Sequence, residues 1–154
     1  MSIIDKSKIT SRRGTGYPAP FDAPCKARAA LNLGDHGGLT QFGAHLITLP
    51  PGAWSSQRHW HNAEDEFVMI ASGRPTLVDN NGEQELAPGD CTAHPAGEEN
   101  AHHMINKTDT DVTYLVIGTR APQNDSCAYP DIDMALPSNG TSKRVFTRKN
   151  GDTF

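Results

Sequence analysis

The stretch Gly52-Ala-Trp-Ser-Ser-Gln-Arg-His59-Trp-His61-Asn-Ala-Glu-Asp-Glu66-Phe-Val-Met-Ile-Ala-Ser-Gly73 decides how the chain folds. Successive side chains of a β-strand point to opposite faces, so His59 and His61 share a face and Trp60 takes the other. Four residues separate His61 from Glu66, enough for a turn. Glu66 then opens a neighbouring strand, where its carboxylate can join the two imidazoles.

A second stretch supplies a third imidazole: Gly89-Asp-Cys-Thr-Ala-His-Pro95-Ala-Gly97-Glu-Glu-Asn-Ala-His102-His103-Met-Ile-Asn106. Three nitrogens and one carboxylate oxygen suit a first-row divalent transition metal, Fe, Mn, Ni, Co or Zn. His102 and His103 compete for the third imidazole position. The spacing to Asn106 selects His102, and strand alternation then turns His103 away.

These stretches resemble the paired motifs of the cupin superfamily. The first motif runs Gly, five residues, His-x-His, three or four residues, Glu, six residues, Gly; here six residues separate Gly52 from His59, and the remainder fits. The second runs Gly, five residues, Pro-x-Gly, two residues, His, three residues, Asn; here four residues precede His102. Both departures fall in a loop before a ligand. The resemblance implies a small jelly-roll β-barrel, the double-stranded β-helix, with one metal held by His59, His61, Glu66 and His102.

Outside the motifs the chain reads as all-β. No sustained 3.6-residue apolar period is present; short apolar runs alternate with Gly, Pro, Asn and Asp. Expected strands are residues 41–49, 54–61, 66–71, 75–79, 84–86, 91–94, 102–106 and 112–119, with reversals at Asp79-Asn80-Asn81-Gly82 and Ala87-Pro88-Gly89-Asp90. Residues 1–40, rich in Gly and Pro, form an N-terminal arm expected to pack on the barrel or on a second subunit. Residues 41–120 form the barrel core, and residues 121–154 an irregular extension ending in a loose tail. At 154 residues this makes one domain.

Alternation also proposes a substrate-pocket wall. Ser55 and Gln57 share parity with His59 and His61, and Val68 and Ile70 share it with Glu66, provided that the strands carry no bulge. Gln57 has two readings: a hydrogen bond to substrate or metal-bound water, or a buried amide satisfied by backbone. Trp54, Trp60, Phe67 and Met69 fall on the opposite faces as packing residues. His45 and His94 lie on strands outside the motifs, Asp65 has the wrong parity and Glu64 sits in the turn. None of these four is assigned to the site.

Charge and composition narrow the partners. The formal charge is −4 with both signs interspersed, and no basic stripe follows a phosphate backbone, so nucleic acid is not expected. No apolar run approaches the ~20 residues of a membrane span, and residues 1–13 lack a signal-peptide core, which points to the cytoplasm. Cys25, Cys91 and Cys127 are odd in number and widely spaced, as free thiols would be.

Cupins include dioxygenases, isomerases, lyases, decarboxylases, storage proteins and sensors, so fold alone does not choose a reaction. The donor set leaves coordination positions open, which implies a metal-dependent enzyme acting on a small oxygenated substrate, a dioxygenase or an isomerase or lyase. The alternative is a non-catalytic module that binds or senses a small molecule. Imidazole must be neutral to ligate, so metal binding should weaken below pH ~6.5. By resemblance to barrels with long arms, a homodimer is expected, paired through the face containing Phe67 and Met69.

Overall fold

The computed structural model describes residues 3–154. Twelve strands follow in chain order: β1 (Arg12–Arg13), β2 (Ala29–Asn32), β3 (Phe42–Leu49), β4 (Trp60–His61), β5 (Glu66–Ser72), β6 (Thr76–Asp79), β7 (Gly82–Glu85), β8 (Cys91–His94), β9 (His103–Ile105), β10 (Val112–Thr119), β11 (Cys127–Ala128) and β12 (Ala135–Leu136). The single α-helical turn among the described residues, α1 (Leu33–His36), follows β2.

One wall is a six-stranded antiparallel sheet in the order β1-β2-β3-β10-β5-β8. The opposite wall is built from β7-β6-β9 and β4-β11-β12. Residues 53–59 join its halves by pairing with the β9 segment: Trp54 bridges Ile105, and His59 bridges His102. Side chains from both walls meet in one apolar core that includes Ile47, Leu49, Val68, Ile70, Val112 and Tyr114 from the large sheet, facing Ala53, Leu77 and Met104. The alternation that defined the strands therefore also defines the interior.

Two motif residues act on the backbone. Gly73 has φ +76°, and a Cβ there would meet Val112 Cγ2 at 2.8 Å and the Asp111 carbonyl at 2.9 Å, so a side chain is excluded by both torsion and contact. Asn106 is fully buried and closes the β9–β10 turn. Its amide donates to the carbonyls of Leu49 and Thr110 at 2.8 and 2.7 Å, and its oxygen accepts from the Thr108 N–H at 3.0 Å.

Both chain ends make regular contacts with the rest of the chain. Within the arm, β2 pairs with β3 along Ala29–Asn32 and extends the large sheet. Four residues between Gly- and Pro-rich stretches are too short a run to stand out by alternation. The C-terminal residues, expected as a loose tail, fold back instead: Thr147 bridges Ala135, and Phe146 meets the Tyr17 ring edge-on at 5.3 Å. With Tyr129, Met134 and Leu136 they form a second apolar cluster over one end of the barrel. Isolated aromatic residues in polar sequence give no local sign that they pack against an arm more than a hundred residues earlier. Phe67 and Met69, expected to pack, stand 40% and 38% exposed on the outer face of β5. No helix among the described residues is long and apolar enough to cross a membrane.

Candidate metal centre

Four side chains meet where the two walls approach each other. His59 and His102 exchange backbone hydrogen bonds of 3.1 and 2.9 Å across their bridge. His61 lies on β4 opposite Cys127, and Glu66 starts β5 opposite His94 of β8 and Gly118 of β10. The Nε2 atoms of His59 and His61 are 3.2 Å apart, and His102 Nε2 lies 3.4 Å from Glu66 Oε1. The four residues proposed from sequence as ligands thus line one cavity as two close pairs, His59 with His61 and His102 with Glu66.

The opposite ring nitrogens explain this orientation. His59 Nδ1 donates to the Gln57 carbonyl at 2.9 Å, His61 Nδ1 to Asp125 Oδ2 at 2.7 Å, and His102 Nδ1 makes a longer 3.4 Å contact with the Asn100 carbonyl. A carbonyl or carboxylate oxygen can only accept, so in the neutral ring the proton sits on Nδ1 and the Nε2 lone pair faces inward. Histidines that hold metals are prepared in this way. Three inward lone pairs with one carboxylate are a donor set that fits a divalent transition ion.

The electrostatics of the cluster are tightly coupled. Burial and the neighbouring charge of His61 push His59 down to about 3. Burial works against ionised Glu66, but hydrogen bonding and charge from His102, then His59 and His61, hold it at about 2. For His61 burial favours the neutral ring, yet Asp125 and Cys127 outweigh it and raise the ring to about 10. A metal ion at His61 therefore displaces a proton.

His103 is turned elsewhere. Its Nδ1 donates to the Ser56 carbonyl at 2.9 Å, and its ring sits edge-on to Trp54 at 4.7 Å. The donor cluster opens on a cavity of about 230 Å³ whose wall includes Ser55 and Val68. Gln57 and Ile70, expected on that wall, do not line it. Ile70 lies deeper, 1% exposed in the apolar core. Gln57 sits between the Trp54–Ile105 and His59–His102 bridges, where its strand carries two more residues than its partner. This bulge breaks the alternation that would set Gln57 on the cavity wall, and its side-chain Nε2 donates to the Phe21 carbonyl of the arm at 2.7 Å. Of its two readings, the buried amide satisfied by backbone is the one present.

Several residues in and behind the cavity wall carry no motif. Asp125 is missing from the sequence reading because it lies 64 positions after the ring it orients. Cys127 Sγ is 3.3 Å from His61 Nδ1, so His61, Asp125 and Cys127 form a second donor grouping with ligand atoms within 4.8 Å of one another. Tyr129 stacks on His59 at 5.7 Å, and His94 stacks face to face on His102 with centroids 3.3 Å apart. His94 could have been found by pairing β8 with β5, which sets it opposite Glu66. Glu64 and Asp65 serve the loops: Glu64 accepts from the Ala121 N–H and from Arg144, and Asp65 from the Ala96 N–H.

Comparison with known proteins gives a consistent picture. The family profile described as "Cupin domain" matches residues 45–118. A sugar phosphate isomerase of the cupin superfamily from Silicibacter pomeroyi is 45% identical, with 99% of this chain and 96% of that chain covered and a TM-score of 0.93. A candidate sugar phosphate isomerase from Acidithiobacillus ferrooxidans is 33% identical over 83% of this chain and 80% of that one, with a TM-score of 0.74. The polyketide cyclase RemF from Streptomyces resistomycificus, 17% identical over 77% of this chain and 79% of that one, shares the fold alone, with a TM-score of 0.60. No functionally curated protein matches the chain.

Proposed function

The chain belongs to the cupin superfamily, and from that membership we propose that it is a metal-dependent isomerase of small phosphorylated sugars, with His59, His61, Glu66 and His102 as its metal ligands. The observation that carries the metal site is the pinning of three histidines by acceptors at Nδ1, which leaves three inward lone pairs beside a carboxylate. The 45% identity to a sugar phosphate isomerase over almost the whole chain supports the reaction class.

The His61, Asp125 and Cys127 grouping is better read as support for this site. Asp125 and Cys127 reach the Nδ1 side of His61; Cys127 lines the cavity, whereas the Asp125 side chain is 1% exposed and lies behind its wall. The four-donor set faces the cavity. Replacing Asp125 by Asn puts an amide in place of the acceptor and favours the wrong tautomer. Asp125→Asn is therefore expected to weaken metal binding by about 10- to 100-fold in a chelator-competition titration, with the far-ultraviolet circular dichroism unchanged.

A bound divalent ion would supply Lewis-acid polarisation of substrate oxygens. The protein supplies the rest. Val68, Leu77, Val116 and Phe146 supply the apolar part of a mixed cavity wall. Burial raises the hydroxyls of Tyr17, Tyr114 and Tyr129, so they stay protonated as hydrogen-bond donors to substrate oxygens. His94, kept neutral mainly by burial, is the side chain there suited to accept a proton from carbon.

The test is proton exchange at carbon. Metal-loaded protein is incubated in heavy water with a panel of aldose and ketose phosphates and followed by proton NMR. Deuterium should enter beside the carbonyl, product should appear, and both should cease when metal is chelated and return on re-addition. Dioxygen uptake coupled to substrate cleavage, or no exchange by fully loaded protein across the panel, would overturn the reading.

A further inference from the structure

Next to the metal cavity lies a second cleft of about 550 Å³, and its lining is strongly cationic: Arg12, Arg13, Arg28 and Arg144, with His45 and Asn32. In a chain of formal charge −4, four arginines around one cleft stand against the overall balance. No local run marks the cluster, because Arg12 and Arg13 form β1, Arg28 immediately precedes β2 and Arg144 lies in the C-terminal segment. Pairing of β1 with β2 and the bond from the Gly14 N–H to the Arg28 carbonyl at 2.8 Å bring the first three together.

Intramolecular partners do not account for this charge. Arg144 pairs with Glu64 at 3.0 Å, but Arg12, Arg13 and Arg28 have no carboxylate partner among the described residues. Arg28 Nε is buried and makes no hydrogen bond, which is costly for a guanidinium and unusual in a folded interior. Arg28, Thr15 and Arg144 line both cavities, so the cleft and the metal centre share a wall.

We propose that this cleft is an anion subsite that holds the phosphate of the substrate, with Arg28 at its base and Arg12 and Arg13 at its rim, while the sugar carbons reach through to the metal centre. The guanidinium fork matches phosphate oxygens, and charge-assisted bonds of this kind are the strong class of hydrogen bond. The assignment rests on the isomerase reading for the identity of the phosphate's carrier, but not for anion binding itself. Without the phosphate, a neutral sugar would leave the cationic cleft unpaired and lose affinity.

The experiment is calorimetric titration of the full chain with inorganic phosphate, in metal-loaded and chelator-treated protein, alongside Arg28→Met, Arg28→Lys and Arg12→Ser/Arg13→Ser. Phosphate should bind in both metal states and at least about tenfold more weakly to Arg28→Met and to the rim pair, as expected for loss of charge-assisted hydrogen bonds. Arg28→Lys, which keeps the charge, should retain part of the binding and guards against misfolding of the methionine variant. A sugar phosphate should compete with inorganic phosphate, whereas its dephosphorylated sugar should not. Equal binding by every variant, or binding that disappears with the metal, overturns the subsite. Phosphate binding lost in Arg28→Met without turnover on any sugar phosphate supports the subsite and sinks only the isomerase reading. Turnover with a KM untouched by these substitutions does the reverse.

Discussion

His102→Ala protein is expected to emerge from purification with almost no metal, whereas His103→Ala retains one ion per chain. The two residues are neighbours and both are buried, so the contrast tests orientation and not burial. The inner nitrogen of His102 lies 3.4 Å from Glu66 Oε1 in the four-donor cluster, while His103 donates from Nδ1 to the Ser56 carbonyl and presses its edge against Trp54. Removing His102 deletes a ligand and leaves Glu66 without its largest stabilising partner. Loss of the ion also removes several kcal/mol of transition-state charge stabilisation, so turnover should fall by about a thousandfold or more. His103→Ala opens a space beside Trp54, and its effect should appear in thermal stability. Elemental analysis of chelator-free preparations reads the result; metal retained by His102→Ala and lost from His103→Ala would reverse the assignment.

The same pair shows how far sequence carries. β3, β8 and β10 were legible almost to the residue, because each is a short strand-forming run bounded by turn residues. Gly73 and Asn106 were legible as spacing markers, although only the structure shows that one excludes a side chain and the other closes a turn. Parity failed at Gln57, where a bulge breaks the alternation of faces, and at Ile70, where the right face lay too deep. Asp125 and the arginine cleft were illegible for another reason. Each depends on contacts between segments distant in sequence, and a lone Asp in a loop or an Arg pair on an arm has the local appearance of solvated charge.

His94→Asn is expected to lower kcat by about a hundredfold while metal content stays at one per chain, in keeping with the usual contribution of a positioned general base. His94 reaches the cavity from β8 because the register sets it opposite Glu66. Its ring lies flat on His102, and its Nε2 is 3.0 Å from Thr92 Oγ1, which fixes its plane. Burial first, then the charge of His102, lowers it to about 4, so its ring is unprotonated throughout the physiological range. Asparagine keeps a polar group of comparable reach but cannot accept a proton at these pH values, so substrate binding should change little and KM should move far less than kcat. The exchange assay separates this role from a structural one. A base removes the proton before the product forms, so deuterium incorporation and product formation should fall together in His94→Asn. Should metal content drop instead, His94 serves only as the platform under His102, and restoring full occupancy with excess metal should then restore the rate. A rate that stays low at full occupancy is what the proton-transfer role requires.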